Sequence, residues 1–273
     1  MPIRDRLQHG PVDGVRVGRF GRSINTTFVL YRWGDTLIDA GPPNQWKDVA
    51  KFTAEKPPRQ VILTHHHEDH AGNAARLAKK YNLTPYAPVE GRDKLARGYA
   101  VPMIQRLIWG APRPVETAPY PDDIRTDDGT RIVPVFTPGH AKDLHVLHIP
   151  EKGWLFSGDL YIARSIRYLR SDEDLPLLMD SIRKALTLDF DFIFCPHRGL
   201  VENGKEMLRQ KLANMVSLCE QAQALQTEGA ALEEITKRLL GPEDGMSKAS
   251  RYNFSKRNLI AGALDVTDLS TSN

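Results

Sequence analysis

The chain has 273 residues, 41% of them hydrophobic and 26% charged, with a formal net charge of +3. This fits one large α/β domain or a domain with a modest appendage, excludes a disordered chain, and lacks the dense basic stripe of a nucleic-acid binder while admitting an anionic substrate. There is no run of about eighteen apolar residues, the polar stretch 1–10 lacks the apolar segment of a secretory signal, and Cys195 and Cys219 are too few for a disulfide framework, so a cytoplasmic protein with buried free thiols is expected.

Residues 15–20 and 24–32 are rich in β-formers, with turn chemistry at 21–23. A short strand at 36–40 stops at Gly41-Pro42-Pro43, and Asn44 is placed to cap a helix to about residue 54. Val61-Ile62-Leu63 reads as a buried strand that runs into Thr64-His65-His66-His67-Glu68-Asp69-His70, and 71–81 repeats apolar residues at helical spacing. Residues 84–125 are irregular, with a helix expected around 102–109; Tyr99, Arg106, Trp109 and Arg113 there could cover a pocket. Strands are expected at 131–137, 144–149 and 153–157. A helix should follow at 174–187, capped by Ser171 or Asp172, then a strand at 192–195 and helices at 204–227, 231–240 and 254–264. Alternating strands and helices argue for a layered α/β architecture.

Four segments just past predicted strands carry metal-ligand chemistry. The densest holds His65, His67, Asp69 and His70; imidazole suits zinc or iron, and carboxylate can bridge or terminate, so more than one divalent ion could be held. Thr137-Pro138-Gly139-His140 aims one imidazole from a tight turn. Ser157-Gly158-Asp159 places a carboxylate at the end of an apolar run, and Cys195-Pro196-His197 ends a strand. His66 is expected at the surface or behind the ligands, and His145 and His148 as strand residues.

In this order the segments resemble the metallo-β-lactamase superfamily: its HxHxDH motif (His65, His67, Asp69, His70), its TPGH motif (His140), its GD motif (Asp159) and its last metal histidine (His197). Asp39 falls where that family has a structural aspartate. The resemblance implies a four-layer αββα sandwich with a C-terminal helical extension: a catalytic domain over 1–203 and a helical segment, 204–273, packed on it. It implies that His65, His67 and His140 bind one metal, that Asp69, His70 and His197 bind a second, and that Asp159 bridges them. The two ions, zinc by expectation with iron or manganese as alternatives, would share a hydroxide nucleophile. Asp69 and Asp159 are the expected catalytic carboxylates.

An aspartate rather than cysteine at 159, His67 rather than glutamate, and the absence of a large insertion make the sequence similar to the glyoxalase II-like branch. Leu144 stands where many relatives have a histidine, with His145 displaced by one. The implied activity is hydrolysis of a small ester, thioester or lactone. A ribonuclease or phosphodiesterase and a mononuclear-iron sulfur dioxygenase are the alternatives the same motif serves. Arg164, Arg167 and Arg198 are candidate substrate contacts, since arginine matches anionic groups, and Tyr161 is a fourth that could donate to an oxyanion, with a packed aromatic as the stronger reading of it. The expected partner is a small molecule, not nucleic acid or membrane, and the C-terminal helices offer a surface for a homodimer.

Overall fold

The computed structural model describes residues 3–20 and 26–271. The turn expected at 21–23 and the start of the strand expected at 24–32 lie outside the described residues. Strands β1 (Ile3–His9), β2 (Val12–Gly18), β3 (Thr27–Trp33), β4 (Thr36–Ile38) and β5 (Gln60–Ile62) form one sheet in that order. All pair antiparallel except β4 with β5. On its outer face lie α1 (Trp46–Glu55), α2 (Ala74–Tyr81), α3 (Val89–Arg97) and α4 (Met103–Ile108). The second sheet is built from β6 (Ile124–Arg125), β7 (Arg131–Phe136), β8 (His145–Ile149), β9 (Trp154–Phe156), β11 (Phe192–Cys195) and β12 (Gly199–Val201), in the order β12-β11-β9-β8-β7-β6. Strand β10 (Leu169–Arg170) pairs with β13 (Phe254–Ser255) apart from both sheets. The outer face of the second sheet is covered by α5 (Leu175–Leu186), α6 (Gly204–Thr227), α7 (Leu232–Leu240) and α9 (Lys256–Leu264); α8 (Gly245–Ala249) is a short turn before β13.

The period-two alternation of strands sorts the core into three layers. Val29, Tyr31 and Trp33 of β3 meet Leu147, Phe156 and Phe194 between the sheets. Phe28 and Leu30 of the same strand face Val49, Phe52 and Leu77 of the first helical layer. Val146, Leu155, Ile193 and Cys195 turn the other way and pack on Met179, Ile182, Leu212 and Ile260. Helix, sheet, sheet and helix therefore stack as a four-layer αββα sandwich. Among the described residues no helix is long and apolar enough to cross a membrane.

Three expectations need correction. Residues 3–9, read as a polar terminus, form β1, an edge strand in a hairpin with β2. Its run of charged residues, Arg4-Asp5-Arg6, suits an edge and hides it from an apolar pattern. Asn44 does not cap α1: its side-chain amide donates to Ile108 O at 2.7 Å, and a 3-10 turn, Pro43–Gln45, precedes the helix. The cap of α5 is Asp174, whose carboxylate accepts from Leu177 N at 2.9 Å, rather than Ser171 or Asp172.

Candidate metal centre

Strand direction decides where the ligands go. β7 and β8 are antiparallel, β8 and β9 are antiparallel, and β9 and β11 are parallel, so β7, β9 and β11 point the same way. Their C-terminal ends share one edge and deliver His140, Asp159 and His197 there. The loop after β5 brings His65, His67, Asp69 and His70 from the other sheet. Two main-chain bonds tie the sheets together at this edge: His145 N to Thr64 O (3.0 Å) and Val29 N to Pro196 O (2.6 Å). Gly139 sits at φ +123°, and a Cβ there would lie 2.3 Å from Leu178 N, so only glycine lets the His140 turn press against α5.

All seven residues are buried and converge in two groups: His65, His67, His140 and Asp159, then Asp69, His70 and His197. In each group the donor atoms lie within 4.8 Å of one another. His67 Nδ1 is 3.1 Å from His65 Nε2 and 3.0 Å from His140 Nε2. Asp159 stands between the groups. Its Oδ2 is 3.1 Å from His140 Nε2, and its Oδ1 lies 3.1 Å from His70 Nε2 and 3.2 Å from His197 Nε2. Asp69 Oδ2 is 3.5 Å from His197 Nε2.

The outer nitrogens of four of the imidazoles are fixed. His70 Nδ1 bonds Asp39 Oδ2 (2.7 Å), His140 Nδ1 meets Glu173 Oε1 (2.5 Å), His197 Nδ1 donates to Thr27 O (3.1 Å), and His65 Nδ1 lies 3.1 Å from Thr64 Oγ1. An imidazole held from behind by an acceptor keeps its inner lone pair for a cation. Buried carboxylates and imidazoles facing one another with lone pairs inward form a donor set that fits divalent metal ions. Asp39 adopts φ +61°, unusual for a residue other than glycine, while its carboxylate also accepts from Thr64 N at 2.7 Å.

The electrostatics follow from these contacts. Burial pushes His65 and His67 well below the ordinary imidazole range. Burial also opposes charge on His140, but Glu173 and Asp159 outweigh it and raise the group to about 9. Asp159 and Asp39 likewise carry His70 well above its usual value. Asp159, despite its burial, is held far below the usual carboxylate range by His197, His70 and His140. Glu68, buried beside Asp69, is pushed up to about 7.

A recess of about 390 Å³ opens onto His67, Asp69, His140, Asp159 and His197. Its far walls are mainly apolar, with Ile104, Ile108, Ile162, Ile166, Met246 and Phe254. Of the four residues expected to contact substrate, Arg167 and Arg198 are among its lining; Tyr161 is instead packed in the outer core, and Arg164 reaches Gln210 on α6. Tyr99 and Trp109 also lie close to the ligands. The Tyr99 hydroxyl donates to His66 O, and the Trp109 ring is 6.0 Å from His197. His66 is buried, its Nδ1 2.6 Å from Asp143 Oδ1, so it braces the ligand loop and is not at the surface.

Sequence reasoning missed Glu173, Arg16 and Lys211. Arg16 Nη1 donates to His197 O (2.8 Å) and Nη2 to Arg198 O (2.9 Å); buried Lys211 donates to Leu160 O (2.7 Å), next to Asp159. The acidic run 172–174 could be read as a helix cap, and only the fold turns Glu173 toward His140.

A four-layer sandwich with a buried His/Asp cluster on one edge defines a class of metalloproteins. The Metallo-beta-lactamase superfamily model matches residues 19–197, and the chain belongs to that superfamily. It is 27% identical over 204 residues to the atrochrysone carboxyl ACP thioesterase of Aspergillus fumigatus, covering 73% of this chain and 58% of that protein. It is 30% identical over 180 residues to a hydroxyacylglutathione hydrolase of Rhodopseudomonas palustris, covering 64% of this chain and 63% of that protein. The chain thus spans about 60% of the length of these relatives. In fold it is similar to a beta-lactamase domain protein from Burkholderia ambifaria, at a TM-score of 0.74, 16% identity, and coverage of 95% and 87% of the two chains.

Proposed function

We propose that this chain is a metal-dependent hydrolase that cleaves a small thioester, with esters and lactones as related substrates. The observation that carries the reading is Asp159, whose two oxygens face two separate groups of buried donors. His65, His67 and His140 would hold one divalent ion, Asp69, His70 and His197 a second, and Asp159 would touch both; zinc suits this set best. Bound there, such ions would supply Lewis acidity toward a carbonyl oxygen and a hydroxide nucleophile at neutral pH.

The chain's own residues do the rest. Glu173, Asp39 and Thr27 O hold three imidazoles in fixed orientation, so ligand geometry costs no reorganisation during turnover. Asp69 lines the recess among the buried donors, where its carboxylate would orient the attacking water. The apolar walls keep bulk water from the acyl group, and Arg167 and Arg198 can meet an anionic leaving portion. The thioester C–S bond breaks, water supplies the hydroxyl of the new acid, and the thiol leaves with the proton.

Thioester-hydrolysing relatives support this choice among the chemistries the motif serves. We also propose that 204–273 is an extension of the domain formed by 1–203: α6, α7 and α9 share one core with β8, β9 and β11. The test is a panel of acyl thioesters, lactones and phosphodiesters assayed with zinc-loaded and chelator-treated protein. Metal-dependent release of thiol is the expected result. Cleavage of phosphodiesters alone would overturn the reading.

A further inference from the structure

The recess contains an imbalance that the hydrolase reading does not use. Gln105 of α4 lines it, with a relative exposure of only 3%, and its Oε1 is buried with no hydrogen-bond partner among the described residues. A buried amide oxygen left unpaired is costly, and folded proteins seldom leave one without a purpose. The same recess is lined largely by aliphatic and aromatic side chains of α4, of the stretch after Asp159 and of Met246 and Phe254, with Arg167, Arg170 and Arg198 as charged members. Pockets of this kind bind an apolar body and use a few placed polar groups to choose among candidates.

We propose that the recess is an acyl pocket whose specificity residue is Gln105, and that the preferred acyl group is an apolar chain or ring bearing one hydrogen-bond donor remote from the scissile carbonyl. This rests on the thioesterase reading. The apolar body displaces water from the walls, and once the Gln105 amide turns its buried oxygen toward the recess the hydroxyl or N–H of the acyl group donates to Oε1. An acyl group of the same shape without the donor leaves that oxygen unpaired and is discriminated against for that reason.

The experiment uses the zinc-loaded full chain and matched acyl thioesters of increasing length in three forms: unsubstituted, ω-hydroxy and ω-methoxy. The corresponding free carboxylic acids are titrated by calorimetry. At the best-fitting length the ω-hydroxy form is expected to exceed both others by roughly three- to tenfold, in kcat/KM and in the affinity of the acid, as one net hydrogen bond gives. Gln105→Leu should abolish that preference, improve the unsubstituted form, and leave the thermal midpoint equal or higher because a buried unpaired oxygen is gone.

No preference at any length, a preference for the methoxy form, or a preference that survives Gln105→Leu would overturn the assignment. If the acids bind with the expected pattern while no thioester is cleaved, the hydrolase reading falls and the pocket assignment stands. If thioesters are cleaved without discrimination, the reverse holds.

Discussion

The two sides of the recess are built on opposite principles. On the strand-edge side nearly every polar atom is held by another: Asp39 behind His70, Glu173 behind His140, Arg16 beneath His197, Lys211 against the turn of Asp159. On the far side, side chains from α4, the 162–170 stretch and β13 present mostly carbon, and Gln105 keeps an oxygen unpaired. The first side is over-determined and suits chemistry that demands fixed positions. The second is loosely specified and suits recognition. Changes on the first side should therefore collapse metal binding and activity together, while changes on the second should alter which substrate is taken.

The largest effect is expected at the point shared by both donor groups. Asp159→Asn should lower kcat/KM on the order of a thousandfold, with metal content falling in parallel. An active variant with full metal content would break the comparison.

Next come the residues behind the ligands. Glu173→Gln keeps the shape and the bond from Arg170 N but removes the charge facing His140, and should weaken metal affinity roughly ten- to hundredfold in competition with a chromogenic chelator. Unchanged affinity would show that the imidazole is positioned by its turn alone.

The same pair sets a pH dependence. His140 stands near 9, so below that pH a metal must displace its proton to take Nε2. Affinity should fall as pH drops from 9, and calorimetry in buffers of different ionisation enthalpy should detect proton release at pH 7. With Glu173→Gln the release should shrink. Binding enthalpies independent of the buffer would contradict this assignment.

The smallest effect belongs to the far wall. Phe254→Ala should raise KM for apolar thioesters by roughly tenfold and leave kcat and metal content near the parent values, the mark of binding lost equally in ground and transition states. A matching loss of metal would show that the two sides are not separable.

The same contrast explains what could be read from sequence. The candidate donors were legible because each group of them follows a strand, and a strand end fixes its own loop whatever the rest of the fold does. His65, His67, Asp69 and His70 stand together, and His140, Asp159 and His197 each follow a β-run and a Pro or Gly. The layered order of the fold was legible from the alternation of strands and helices. The residues behind the ligands were not: Glu173 meets His140 from 33 positions away and Arg16 reaches His197 O across 181, and no local pattern encodes either meeting. The far wall was least legible. Stretch 99–121 has little periodicity, and Gln105 reads as an ordinary polar helix residue until α4 is seen against the site. Tyr161 shows the converse: its position two residues after Asp159 suggested a role that core packing takes instead.

The most direct test of the account is elemental analysis of the full chain purified without chelator. About two divalent ions per chain are expected, zinc foremost, falling well below that in Asp159→Asn. A single iron per chain with zinc absent would contradict it and turn the search to oxygen-dependent chemistry.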